Sequence, residues 1–375
     1  MSRRARRGAY AFREAPRDVI RGRPAGVPTP GRRSSVPPNP FLESLPAPPT
    51  PPSGTRHHSE VRLRPRPRRT PPLSVEAIRS TIDAVGTGRP SRPADPVEAL
   101  LREILASSPE TTVSWEHRVE RHAEAILPRL TQLFPGPLWF DRRRPHRSLP
   151  GGEHVSALAR ALVHAGAAAR PWVAQLLVAP SEHVRFHACL VAGSLAHPEL
   201  LDPLGHVLLE GERDVRRAAQ EGLRAHARFR EYAGLLEALR GLAENGAQRE
   251  VWRLRAIEAL GALGDPAAPD VLVELLADED RAIARAAHEA LREITAHDLG
   301  TLRRPWQRWL RNQRWRPRSS WLVAALADRR ADLRLHALRE LERIVPLGID
   351  LPETAPPEDW ADAQMRYADW LRRDR

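Results

Sequence analysis

Five times along this chain an apolar residue is followed by a small residue four places on and another apolar residue eight places on. The copies are Val184/Ala188/Ala192, Val215/Ala219/Leu223, Trp252/Ala256/Leu260, Ile283/Ala287/Leu291 and Leu333/Ala337/Leu341. Offsets of 0, 4 and 8 share one face of a helix, and the small residue lets a neighbouring helix come close. The copies start 31, 37, 31 and 50 residues apart, the period of stacked helix pairs. A second apolar helix precedes each copy, at 171–177, 202–209, 234–242, 269–276 and 320–327. Pro171, Pro203 and Pro269 stand near the starts of three of these helices, where a missing amide costs nothing. The pattern predicts an all-α solenoid of about five helix pairs, with short polar turns such as Ala277–Asp280 inside each pair.

That unit resembles the HEAT repeat, and in particular the bacterial phycobilisome-lyase HEAT-like class, over about residues 153–345. The resemblance implies a fold and says little about activity. Other HEAT-like proteins supply tests for chemistry. The HEAT-like di-iron hydroxylases place His-Glu pairs at the start of the second helix in several repeats. Here those positions read Phe186-His187, Arg217-Ala218, Leu254-Arg255, Arg285-Ala286 and Leu335-His336, and the His-Glu pair His288-Glu289 falls later in its helix. His183 and His187 are four apart but lack carboxylate support for a metal. HEAT-like alkylpurine glycosylases hold DNA on a strongly basic face, and bilin lyases handle a chromophore; neither feature is legible here. No phosphate loop, dinucleotide fingerprint or nucleophile elbow occurs. The expectation is a chain without catalytic residues, metal or cofactor.

Charge divides the chain. All 59 basic residues are arginine, and the first 72 residues hold 16 of them, 16 of the 37 prolines and the whole net charge of +12. Such a segment buries too little apolar surface to offset its ordering entropy, so 1–72 is expected to be a disordered arm. A solvated leader fits it, and so does an electrostatic arm for nucleic acid, anionic lipid or an acidic protein, centred on Arg62, Arg64, Arg66, Arg68 and Arg69. Residues 73–152 read as a helical cap and irregular linker, and 153–375 as the repeat array. In the cap, SVEAIRSTIDAVG and PVEALLREILASS read as helices, the second opened by Asp95 as N-cap. TTVSWEHRVERHAEAILPRLTQLF reads as one longer helix kinked at Pro128. The lone Cys189 allows no intramolecular disulfide and reads as a buried thiol. No apolar run is long enough for a membrane span, and a cytoplasmic location is expected.

Two irregular stretches are candidate binding surfaces. In the linker, Trp139 stands beside Arg142, Arg143 and Arg144. After the fourth and fifth copies come inserts that echo each other: Leu299-Gly300 with Trp306, Trp309 and Leu310, then Leu347-Gly348 with Tyr367, Trp370 and Leu371. Each predicts a loop and an aromatic-bearing helix laid across the preceding pair. Arg303, Arg304, Arg308, Arg311, Arg314, Arg316 and Arg318 make the first insert basic, so Trp306, Arg308 and Trp309 join the candidate surface, against the reading in which the tryptophans wedge between layers and cap the array. Finally, Arg185, Arg216, Arg253 and Arg334 follow the anchor in four of five copies. They read as a structural ladder tied to the turn acids Asp214, Asp278, Asp280 and Asp332, against the alternative of a row of anion contacts. The function this points to is a non-catalytic scaffold or adaptor for another macromolecule, foremost a protein. A nucleic-acid-associated protein using the arm is the second reading and a HEAT-like hydroxylase or lyase the third. Partner identity and oligomeric state are not written in the sequence.

Overall fold

The protein is described by a computed structural model over residues 95–110, 115–142 and 148–373. The arm and the helix expected at SVEAIRSTIDAVG lie outside these residues, as do Arg143 and Arg144. Every named element of the described residues is a helix.

The described residues begin with α1 (Pro96–Leu105), α2 (Glu116–Arg121) and α3 (Ala123–Leu133). Asp95 caps α1 as its spacing requires, accepting from the Val97 amide at 3.0 Å. The single longer helix expected next is instead two. The break falls at His122, whose backbone leaves the helical region (φ −106°, ψ 21°), and Pro128 stays inside α3. Tertiary packing explains this: α2 rests on α4 (Ala157–His164), whereas α3 lies between α4 and α5 (Arg170–Leu177). A straight rod would lose one of those contacts. The linker between α3 and α4 folds back along the start of α4, with the Trp139 amide donating to the Val155 carbonyl at 2.9 Å.

Five helix pairs follow: α5 with α6 (Glu182–Leu195), α7 (Leu201–Glu210) with α8 (Arg213–Arg224), and α9 (Glu231–Glu244) with α10 (Glu250–Leu263). Next are α11 (Ala268–Leu275) with α12 (Arg281–Thr295), and, after α13 (Arg303–Gln313), α14 (Arg318–Ala325) with α15 (Ala331–Ile344). The small residues Ala188, Ala219, Ala256, Ala287 and Ala337 are all fully buried, as are Ala192, Leu223, Leu260, Leu291 and Leu341. At this small-residue face α6 and α8 nearly touch. A Cβ on Gly193 would lie 3.0 Å from the Gly222 Cα, and one on Gly222 would lie 2.6 Å from the Cys189 carbonyl.

Such close approach curls the array. Helices stacked straight sit about 8–10 Å apart, so α8 and α15, three steps apart, would lie about 25–30 Å from each other. Yet Arg343 of α15 reaches Glu221 of α8 at 3.4 Å. The second helices therefore line an inner face and the first helices an outer one.

The two inserts fold alike. Gly300 and Gly348 both take left-handed backbone (φ 78° and 71°), which a side chain would disfavour. Trp306 and Tyr367 are then fully buried. α13 packs on α11, and α16 (Pro357–Arg373) packs on α14, each filling the place of a first helix in the next layer. The apolar core comes in two parts, one running from α1 to α13 and Trp321, the other comprising the last pair with α16.

Candidate binding surfaces

At the inner face one helical position carries Glu221, Glu258, Glu289 and Arg339 in the second to fifth pairs, and the buried Leu190 in the first. The C-terminal ends of α8, α10, α12 and α15 converge there around Glu340, a buried carboxylate. Arg318 donates to it at 2.9 Å and Arg343 at 2.6 Å, with Arg224 at 3.9 Å. Burial alone would push this carboxyl up, but Arg318, Arg224 and Arg343 outweigh it and hold it down at about 2. Arg318 also donates to the Ile294 carbonyl at 2.8 Å, so it ties the fourth pair to the fifth across the seam between the two core parts. A cavity of about 350 Å³ opens here, lined by Arg224, Tyr232, Leu236, Asp265, Arg318 and Glu340. Glu293 behaves in the opposite way. It keeps solvent access, but its carboxyl has no ion-pair partner among the described residues, and crowding by the surrounding protein raises it. Arg224 opposes that rise, while Glu340, Glu289 and Glu258 add to it, leaving the group at about 7.

The arginine ladder is engaged within the molecule. Arg185 donates to the Ala179 and Pro180 carbonyls at 2.8 and 2.9 Å, and to Glu212 of the next pair at 2.8 Å. Arg216 reaches the Gly211 carbonyl at 3.4 Å and Glu258 at 3.0 Å. Arg253 reaches the Ala243 carbonyl at 3.1 Å and Asp278 at 2.6 Å. Arg334 binds the Asp328 and Arg329 carbonyls at 2.9 and 3.1 Å and lies over the Trp360 ring, 5.0 Å from its centroid. Common to all four is the carbonyl end of their own first helix, where the dipole and the unpaired acceptors favour a cation. The acids differ from those expected, apart from Asp278. Asp280 instead caps α12, accepting from the Ala282 amide at 2.7 Å. Asp332 pairs with Arg292 at 2.9 Å and Arg330 at 2.8 Å. The sequence hides this because Glu212 and Glu258 belong to the following pair.

The linker candidates are likewise drawn inward. Arg160 covers the Trp139 ring at 4.5 Å. Arg142 pairs with Glu182 at 3.2 Å and lies 5.3 Å from the Phe186 ring centroid. Arg143 and Arg144, and the arm residues Arg62, Arg64, Arg66, Arg68 and Arg69, lie outside the described residues. The His183 and His187 rings meet edge to face, 4.6 Å between centroids, and His187 Nδ1–H donates to the His183 carbonyl at 2.7 Å. Burial pushes His187 down to about 4, so the ring is neutral at pH 7. Burial also pushes the Cys189 thiol well up.

At α13 the expected surface needs correction. Trp306 is fully buried, its indole N–H donating to the Gly300 carbonyl at 2.7 Å. Trp309 is half-buried, with ring centroids of Trp306, Trp321 and His297 at 6.2, 5.2 and 5.3 Å. These tryptophans belong to the core because their helical phase points them at His288 of α12, His297 and Trp321 of α14. The exposed side of α13 is a different set: Arg304, Arg308 and Arg311, then Trp315 in the turn that continues the helix. Trp315 is 88% exposed, the most exposed large hydrophobic among the described residues. Arg303 pairs with Glu274, and Arg314 pairs with Asp270 at 3.5 Å, on the flank facing α11. Arg304, Arg308 and Arg311 have no acid within ion-pair distance among the described residues. Periodicity could have found this stripe, since Trp315 is out of phase with Trp306 and Leu310.

Residues 152–224 and 221–292 match the family of HEAT repeats. No curated protein matches the chain. Among solved structures, one engineered protein is 17% identical, over 67% of this chain and 96% of its own, with a TM-score of 0.22. A second engineered protein is 18% identical, over 78% and 80%, with a TM-score of 0.28. A designed armadillo repeat protein in complex with a (KR)4 peptide is 18% identical, over 66% and 99%, with a TM-score of 0.25.

Proposed function

We propose that this HEAT-repeat protein is a non-catalytic scaffold that holds a protein partner on the inner face of its second helices. One contrast carries the reading. The positions that build the core repeat the same small residue, Ala188, Ala219, Ala256, Ala287 and Ala337, in every pair. The inner-face position two residues further along changes from Glu221, Glu258 and Glu289 to Arg339 over the second to fifth pairs, while in the first pair it is the buried Leu190. A rigid array with a fixed interior and a varied face is suited to recognition of an extended surface. Within HEAT repeats, the anchored Arg and the small residue at +4 support the phycobilisome-lyase-like class of repeat, as a structural unit without lyase chemistry. No helix among the described residues is long and apolar enough to cross a membrane.

The test is affinity capture with the full chain, followed by the same capture with Glu258→Arg and Glu289→Arg combined. Both side chains are exposed, so the fold should survive the change. A protein held by the natural chain and released by the variant supports the reading. Capture unaffected by the double reversal would remove the inner face from consideration.

A further inference from the structure

We propose that the outward side of α13 is a contact site for single-stranded nucleic acid, with Arg304, Arg308 and Arg311 taking phosphates and Trp315 stacking a base. The inference is independent of the protein-binding role assigned to the inner face, because α13 rests on the opposite, first-helix side of the array.

Helical geometry comes first. At about 100° and 1.5 Å per residue, positions 304, 308 and 311 fall within about 60° of arc, over a length of about 11 Å, and Trp315 follows in the turn just past the helix end. Trp306 and Leu310 point the other way and anchor the helix in the core, so the arginine side is held rigidly toward solvent. The three arginines rise about 6 and 4.5 Å from one to the next, close enough for adjacent phosphates of one strand to be met in turn.

Chemistry then narrows the ligand. Two other arginines of the same helix, Arg303 and Arg314, hold acids of α11. Three neighbouring guanidiniums left without an acid attract an anion and suit phosphate oxygens, which accept paired N–H bonds from arginine. An acidic peptide would satisfy those cations too, but it gives no use to an 88% exposed indole at the end of the row. A nucleobase does, since every base offers a flat face for an aromatic ring to stack on. The Arg314 guanidinium lies 5.8 Å from the Trp315 ring centroid, adding a cation beside the stacking surface. An anionic bilayer would call for a broader apolar face than one tryptophan supplies.

The experiment is fluorescence anisotropy of a short labelled oligothymidine with the full chain across a range of salt. Comparison is with Arg304→Ala/Arg308→Ala/Arg311→Ala, with Trp315→Ala and with Trp315→Phe. Residues 1–72 remain in every protein, so their own electrostatic contribution is common to all. Loss of three phosphate contacts should flatten the slope of log affinity against log salt by about 2. Trp315→Ala should weaken binding roughly 5- to 100-fold, while Trp315→Phe keeps most of it. All four positions are exposed, and circular dichroism melting curves unchanged from the natural chain will show that folding is intact. An unchanged salt slope in the triple variant, or equal affinity in Trp315→Ala, overturns the proposal. So does displacement of the oligonucleotide by an equimolar polyglutamate peptide or by anionic vesicles, outcomes that would reassign the stripe to an acidic protein segment or a membrane surface.

Discussion

Replacing Glu340 by glutamine removes one charge from the place where four second helices meet, with little change of shape. The carboxylate faces Arg318 at 2.9 Å, Arg343 at 2.6 Å and Arg224 at 3.9 Å, and these hold it at about 2 against an ordinary 4.5. At about 1.4 kcal/mol per pH unit, that depression corresponds to about 3 kcal/mol of stability. For a depressed carboxyl the contribution is complete above the unfolded value and fades as pH falls toward the folded one. Glu340→Gln should therefore cost about 3 kcal/mol at pH 7 and only about 1.4 kcal/mol at pH 3, where the unfolded chain is already protonated while the folded carboxylate is still mostly ionised. Urea unfolding of the two proteins at both pH values reads the difference directly. Hydrogen exchange should place the loss in the last pair and α16, at amides such as Leu338, Leu341 and Tyr367, because Arg318 then holds the seam less firmly. An equal cost at both pH values would refute the reasoning, as would a cost at pH 7 no larger than the ~0.5 kcal/mol of an exposed pair.

Three further outcomes follow from the same geometry. Glu293→Gln should stabilise the protein at pH 8, by about 1 kcal/mol once solvent screening is allowed for, and hardly at all at pH 4; its raised carboxyl loses stability as pH climbs from 4.5 through about 7. Thermal unfolding at the two pH values checks the sign. Gly222→Ala should cost about 1–3 kcal/mol by forcing α6 and α8 apart, whereas Gly234→Ala, with open space around it, should be neutral or slightly stabilising in urea titrations. Arg253→Ala should cost about 1–3 kcal/mol, because it strands Asp278 and the Ala243 carbonyl at a half-buried site. Arg216→Ala, whose partner Glu258 is more than half exposed, should cost less than about 1 kcal/mol in the same assay.

The helix pairs were legible because the core positions repeat with a helical period, and burial of Ala219 or Leu260 depends on nothing beyond its own pair and the next. Partner choice in the ladder was not legible. Arg185 meets Glu212, 27 residues on, and Arg216 meets Glu258, 42 residues on, distances set by stacking rather than by the local turn. The meeting of Glu221 with Arg343, 122 residues apart, depends on how strongly every intervening layer is rotated, which no local pattern records. At α13, composition pointed to the right helix and the wrong side of it. Trp306 and Trp309 drew notice as aromatics three apart, but helical phase puts them against His288 of α12 and Trp321 of α14 and leaves Trp315 outside.

The Arg343–Glu221 pair also gives the array a mechanical character. A row of helix pairs joined only to their neighbours extends like a spring, each joint yielding a little. Here a tie runs from the second pair to the fifth along the inside of the curve, in parallel with all the joints between. Tension that opens the curve loads this tie and the neighbouring Arg224–Glu340 approach before any single joint has far to move. Both arginines keep some contact with water, so salt weakens the tie while leaving the apolar joints intact. The array should therefore be stiff against small extensions in low salt, compliant in high salt, and elastic once the tie has parted.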